Sequence, residues 1–364
     1  MSGIHFGADD GLIPLRRLPP WLAVALLAAV ATLIAAGLAI SPHHRPGPAP
    51  NRSSDARLYR RIVEDVAGGK AYYAAAAQES RREGYPLRPF LAMRPPLLVV
   101  LLARLPTEAA RRGVLAGLAM LTLAAWAWRL RDLAAEQPMR YAFAIALLST
   151  GLGPDLADLA YAFHEAWAAA LIALSLAVHD PRRWWPSLLL GLAAGLIREL
   201  AIPYLAVMAL FALLEGRRRE AAAWVAAVAV VAVALTAHAL AVNAVTMPTD
   251  LQSPGWLGLG GWPFVLRTVQ WNLVVSLAPR LLAAALLPLA LLGLLAWPGP
   301  LARRVAAITF GFVAAFCFVG RADNYYWGLM IAPLWPLGLF AVDSGLKTLV
   351  TRARLVLQKP VALA

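Results

Sequence analysis

WWPSLLLGLAAGLIRELAIPYLAVMALFALL, residues 184–214, is apolar from end to end except at its centre, where Arg198 and Glu199 stand together and Pro203 follows. Two foldings are open to it. As one continuous helix it would bury both charges at mid-bilayer, at roughly 2.5–3.5 kcal/mol per charge on insertion scales. As a hairpin it turns over residues 198–203, where Pro203 favours a break, and both charges reach one face of the membrane. The choice inverts the side on which the flanking loops lie, so this stretch decides the topology.

The bilayer itself is implied by composition. Of the 364 residues, 61% are hydrophobic and 15% charged, far from the even apolar share and quarter of charged residues of soluble domains. Apolar runs recur from Trp21 onward, beginning with residues 21–40, which are longer than a signal-peptide core and long enough to span. The net charge of +13 comes in short basic clusters between apolar runs. That is the pattern of cytoplasmic loops and not of a nucleic-acid-binding face, so no nucleic-acid partner is read. Cys317 is the one cysteine and the six histidines show no ligand spacing, so neither a disulfide framework nor a caged zinc is expected.

Residues 41–54 (SPHHRPGPAPNRSS) read as a solvated connector. In DARLYRRIVEDVAGG, residues 55–69, Leu58, Tyr59, Ile62, Val63 and Val66 share a helical face with charges opposite, which predicts an amphipathic helix along the membrane surface. In residues 84–106, only PPLLVVLLA between Arg94 and Arg104 is uncharged. Nine helical residues cover about 14 Å, half of a crossing, so a second interfacial helix is expected. The remaining spans are read at 113–128, 140–153, 159–178, 184–197, 200–214, 221–244, 280–297, 304–320 and 326–342.

With the hairpin and the short interfacial helix, Arg129, Arg131, Arg140, Arg182, Arg183, Arg217–Arg219, Arg303, Arg304 and the Lys347–Lys359 tail all fall on the cytoplasmic side. The alternative exports the first five of these. The expected architecture is therefore a single all-α polytopic bundle of about ten transmembrane helices with both termini cytoplasmic. Residues 41–112 form a first outer loop with two interfacial helices, and 245–279 a second one.

Polar residues without a topological reason collect on the outer side. Asp55 opens the first amphipathic helix, where it is either an N-terminal cap or a base at the water–lipid boundary. Arg198 is either a structural partner of Glu199, Glu165 or Asp158, or a guanidinium fork for phosphate. GPDLADLAYAFHE, residues 153–165, carries Asp155, Asp158, His164 and Glu165; GRADNYYWG, residues 320–328, carries Arg321 and Asp323 in an aromatic turn. The tyrosines there, and the tryptophans at 184, 185, 256, 262, 271 and 327, read mostly as an interfacial belt, with stacking on a sugar the alternative for the tryptophans, and Arg94 as a snorkelling arginine or a head-group contact.

The order of SSDARLY at 53–59, GGKAYY at 68–73, RPPL at 94–97 and the arginine-terminated helix GLAAGLIR at 191–198 resembles the GT-C superfamily of membrane glycosyltransferases. The likeness covers roughly residues 10–215 and is one of layout; the later half matches only as spans. It implies transfer of a sugar from a polyprenyl-phosphate donor to an extracytoplasmic glycan, lipid or protein, on the outer side of a bacterial inner membrane. It implies a catalytic Asp55, and substrate-binding roles for Arg198, Arg321, Arg94, His164, Glu165, Asp155, Asp158 and Tyr59. Ala56 follows Asp55 where many members carry a second acid. No metal ligand or cofactor is read from the residues; a divalent cation is compatible with the chemistry. A transporter or lipid flippase, and a non-catalytic scaffold for envelope assembly, use buried charges too.

Overall fold

The computed structural model of the protein describes residues 12–40, 52–157 and 160–357. Among these it is all-helical, with no strand beyond two isolated bridges. The α-helices are α1 (Pro20–Ala39), α2 (Arg52–Ala67), α3 (Tyr72–Arg82), α4 (Leu97–Ala103), α5 (Glu108–Arg129), α6 (Arg131–Glu136), α7 (Pro138–Leu152), α8 (His164–Val178), α9 (Trp185–Ile197), α10 (Ile202–Leu214), α11 (Arg218–Val245), α12 (Gly261–Thr268), α13 (Pro279–Ala296), α14 (Pro300–Phe318) and α15 (Val342–Leu357). Four of them, α1, α11, α13 and α14, are long and apolar enough to cross a membrane, and the count rises to six if each of two bent pairs is one crossing. The higher number expected from the sequence includes the shorter apolar helices α8, α9 and α10.

The hairpin at 184–214 forms. Arg198 is extended, at φ −147° and ψ 115°, and a 3₁₀ turn, Glu199–Ala201, leads into α10. Tyr204 Oη then lies 2.5 Å from Ser175 Oγ, whose own proton goes to the Ser187 carbonyl at 2.6 Å. In one continuous helix, Tyr204 would stand about 25 Å along the axis from Ser187. Glycine permits the tight return. A Cβ at Gly191 would fall 2.8 Å from Trp224 and 2.9 Å from Tyr204, and one at Gly195 would fall 2.8 Å from Val231.

Helix α8 is buried on every side from His164 to Ala177. A helix that is apolar all round belongs in a core, and α8 is the central post, with α5 and α9 against it. Polar contacts sort to two ends of the bundle. At one, His179 pairs with Glu220 at 2.8 Å, Arg304 with Glu215 at 2.8 Å, and Arg140 with Asp343 at 2.5 Å. Arg352 Nε donates to the Leu18 carbonyl at 3.0 Å, so the two ends of the described chain meet there as well. Glu165, Arg198 and the loops after α11 and α14 occupy the opposite end.

Three expectations change. The apolar face of α2 is present, with Leu58, Ile62 and Val63 buried, but α3 and α4 cover it in place of lipid. Helix α3 was not expected. Its alanines, Ala75, Ala76 and Ala77, are too small to mark a face by hydrophobicity, yet all three are buried. The stretch 326–342 is not one helix. It runs as 3₁₀ segments, Ala322–Ile331 and Trp335–Ala341, before α15. Pro333 and Pro336 remove backbone donors here. Gly328 lets the chain approach Thr268, where a Cβ would fall 1.9 Å from its carbonyl oxygen. Irregular backbone of this kind at membrane depth is tolerated where protein encloses it, and Tyr325 to Leu334 are buried throughout. The short α4 does form, seven residues long, and the chain bends by 106° between it and α5.

Candidate functional site

At the end of the bundle where α8 begins, a cavity of about 610 Å³ opens. Helix α2 contributes Asp55 and Tyr59, α3 contributes Tyr72, and the loop after α3 contributes Tyr85. Arg94, the hairpin turn at Arg198–Glu199, Trp256, and the segment with Arg321, Tyr326 and Trp327 complete the wall.

Its floor is an ion cluster. Glu165, in the first turn of α8, accepts from Arg198 Nε at 2.6 Å, and Arg94 Nη2 approaches the same oxygen at 3.5 Å. The other edge of Arg198 is taken by Glu199. Glu165 and Arg198 are 0% and 1% exposed, so the pair is closed off from bulk water and breaking it would leave a buried charge. Arg94 donates from Nη2 to Tyr326 Oη at 2.7 Å and lies between the rings of Tyr59 and Tyr326, 5.7 and 5.9 Å from their centroids. Tyr72 Oη donates to the Arg94 carbonyl at 2.5 Å. The snorkelling expected of Arg94 does not occur; α2, α3 and the 3₁₀ segment enclose it.

Asp55 faces this cluster from the wall. Tyr85 donates a hydrogen bond to Asp55 Oδ1. Burial raises the Asp55 carboxyl above the usual carboxylate range, and the Tyr85 bond and the Arg94 charge draw it part of the way back. A carboxylate so placed is a better proton acceptor than a solvated one.

Arg321 is fully engaged. Its Nε and Nη2 fork onto Asp323 at 3.0 and 2.6 Å, and Nη1 donates to Ser253 Oγ at 2.9 Å and to the Pro254 carbonyl at 3.0 Å. The outer wall is pinned to the loop after α11. Arg81 clasps both oxygens of Asp250, at 2.7 and 2.8 Å. The Leu87 and Arg88 amides share the Leu251 carbonyl, and the Ser253 amide returns to Arg88 at 2.6 Å. Trp256 is set by the Gly320 amide on its carbonyl at 2.7 Å and by an antiparallel bridge from Leu257 to Val319.

The structure thus brings Asp55, Tyr59, Arg94, Arg198 and Arg321 to one cavity. Glu165 stands behind the wall as an anchor and touches no open space. His164 is 1% exposed and its ring meets Tyr59 edge-on at 5.7 Å, so it packs beneath the site and does not line it. Asp155 is buried in a separate 3₁₀ turn, Gly153–Leu156, and does not line the cavity. Asp158 lies outside the described residues. Tyr326 belongs to the cavity in place of a membrane belt. Sequence reasoning did not single out Tyr72 or Tyr85 as site residues, since nothing in GGKAYY or GYP indicates what those rings face, and it read Trp327 chiefly as a belt residue.

Among the described residues no three or more His, Cys, Asp or Glu side chains are grouped as ligands for a metal ion. No step is derived through a divalent cation. Compared with protein-family models, with curated proteins and with solved structures, the chain has no match.

Proposed function

We propose that the protein is a GT-C-type membrane glycosyltransferase of about ten crossings, α7 and the shorter apolar helices α8 to α10 included, that takes a sugar from a polyprenyl-phosphate donor. The cavity would lie on the extracytoplasmic side of a bacterial inner membrane, with both termini in the cytoplasm. The acceptor is an extracytoplasmic glycan, lipid or protein. Asp55 takes the proton from an acceptor hydroxyl. That oxygen bonds the anomeric carbon as the bond from this carbon to the phosphate oxygen breaks, and the electron pair leaves with the phosphate. Arg198, with Arg94, stabilises the departing charge. The observation that carries this reading is the sharing of one cavity by Asp55, Arg94 and Arg198, at the end of the bundle opposite the basic cluster of Arg303 and Arg304.

The test is Asp55→Asn in membranes supplied with polyprenyl-phosphate-linked sugars and glycan acceptors. Removal of a general base lowers turnover by roughly 10²–10⁴-fold. Full transfer by a folded Asp55→Asn protein would remove Asp55 from the mechanism.

A transporter or lipid flippase is the second reading, favoured by one observation: the broken 3₁₀ segments at 322–341 resemble the interrupted helices of transporter cores. Movement of a labelled polyprenyl phosphate across vesicles without any glycan product would select it.

A further inference from the structure

Three guanidinium groups reach the cavity, and they are not equivalent. Arg198 is held by Glu165 at 2.6 Å and by Glu199. Arg321 is held by Asp323, Ser253 and Pro254. Among the described residues one carboxylate, Glu165, lies within ion-pair distance of Arg94, at 3.5 Å, and that oxygen already takes the shorter bond from Arg198. Arg94 is 7% exposed, and its Nε–H has no hydrogen-bond partner among the described residues. Trp327 is 6% exposed, lines the same cavity, and its indole Nε1–H is also buried without a partner among the described residues.

A buried donor left unpaired costs the full desolvation of that group, and more where it is charged. Two such donors on one cavity mark where a ligand supplies acceptors, while Glu199 Oε2 on the same cavity, unpartnered among the described residues, marks where a hydroxyl donor fits. Both donors give hydrogen and neither accepts, and one is cationic. The complementary group is an anion with several oxygens, and guanidinium geometry suits phosphate.

We infer that Arg94 and Trp327 form the phosphate subsite of this cavity, taking a phosphate ester, while Arg198 serves mainly as the braced floor beneath it. As the donor's lipid phosphate this rests on the glycosyltransferase reading; as an anion site it stands without it. Asp55, which accepts from Tyr85, is then left to the acceptor.

The experiment is binding of a long-chain polyprenyl monophosphate to the full chain in nanodiscs, with neutral polyprenol, an alkyl carboxylate of equal length and inorganic phosphate as further probes. Arg94→Gln is expected to weaken binding of the monophosphate by roughly 10–100-fold, and Trp327→Phe, which keeps an aromatic ring and removes the N–H, by roughly 3–10-fold. Lys347→Gln, exposed on α15 at the opposite end of the bundle, should leave it within about twofold. Thermal unfolding of each variant reports folding, and Trp327→Phe remains informative if Arg94→Gln does not fold. Preference for monophosphate over polyprenol places a lipid phosphate in the site; equal loss of inorganic phosphate binding in the same variants places free phosphate there. Wild-type-like affinity in folded Trp327→Phe and Arg94→Gln, stronger binding of the carboxylate, or no binding by the wild type overturns the inference. Loss of binding in the variants without any sugar transfer by the wild type would sink the transferase reading and leave the subsite standing. Transfer with an unchanged donor KM in both variants would do the reverse.

Discussion

Glu165 receives the Arg198 guanidinium at 2.6 Å where neither side chain meets solvent. The contact joins the first turn of the central helix α8 to the hairpin turn between α9 and α10, so one ion pair braces the cavity floor. Arg94 leans on the same carboxylate at 3.5 Å. Replacing Glu165 with Gln leaves two buried guanidinium groups with one fewer counter-charge. The expected loss is about 3–5 kcal/mol of stability, measured as a drop in thermal midpoint in detergent. The double variant Glu165→Gln/Arg198→Gln should lose less than the sum of the singles. Additive losses would mean the two side chains do not act as a unit.

Asp55 titrates above the usual carboxylate range because burial disfavours its charge. As a base it must be ionised, so kcat/KM should fall as pH drops through this raised value, earlier than for a solvated aspartate. Tyr85→Phe removes a bond that favours the ionised form, and should move the acid limb to still higher pH. The stability sign is opposite to that of a salt-bridged acid. Between the unfolded and folded values the native state holds more protons, so stability declines as pH rises through that window. Asp55→Asn should flatten the decline. A pH–rate profile and thermal midpoints across the acid range check both, and an acid limb that stays put in Tyr85→Phe would argue against Asp55 as the titrating base.

Asp250 behaves the other way. The Arg81 fork holds its carboxyl down to about 2. Its contribution is complete above the ordinary carboxylate range and is lost as pH falls toward that lowered value. Asp250→Asn should free the wall formed by residues 84–93, which hydrogen exchange would register as faster amide exchange at Leu87 and Ser253, with α8 unaffected. Unchanged protection at both amides would show that the fork is not what holds the wall.

The proposed topology sets Lys70, in the turn before α3, and Lys347, on α15, on opposite sides of the membrane. Their side chains are 46% and 81% exposed. In a chain with Cys317→Ala, Lys70→Cys should react with an impermeant maleimide from outside intact cells. Lys347→Cys should react only after permeabilisation. The reverse pattern would place the cavity in the cytoplasm and end the extracytoplasmic reading.

Much of the helical layout was legible in the chain. Apolar length marked α1, α11, α13 and α14; Pro203 and the Arg198–Glu199 pair marked the hairpin, and the short run from Pro95 to Ala103 marked α4. The break at 322–341 was less visible, because Pro333 and Pro336 lie within an otherwise apolar run and only the close approach of Gly328 to Thr268 accounts for its path. At the site, Arg198 stood out because a charge within an apolar run needs a reason, and Asp55, Arg94 and Arg321 because they lie on the expected outer side, away from the basic clusters. His164, Asp155 and Glu165 stood out for the same cause, and the structure places none of them on the cavity wall.

Composition and periodicity alone determined that this is a helical chain with several segments apolar enough to span a membrane, and which charged residues lie away from its basic clusters, since transfer to lipid acts on each residue through its own energy. Only the tertiary structure decided which guanidinium is spoken for. Glu165 sits far along the chain from Arg94, as Arg198 does from Asp55 and Tyr326 from Arg94. Whether a buried charge is satisfied depends on which distant partners the packing of α8, α9 and the 3₁₀ segment brings within a few ångströms, and no local pattern in the chain records that.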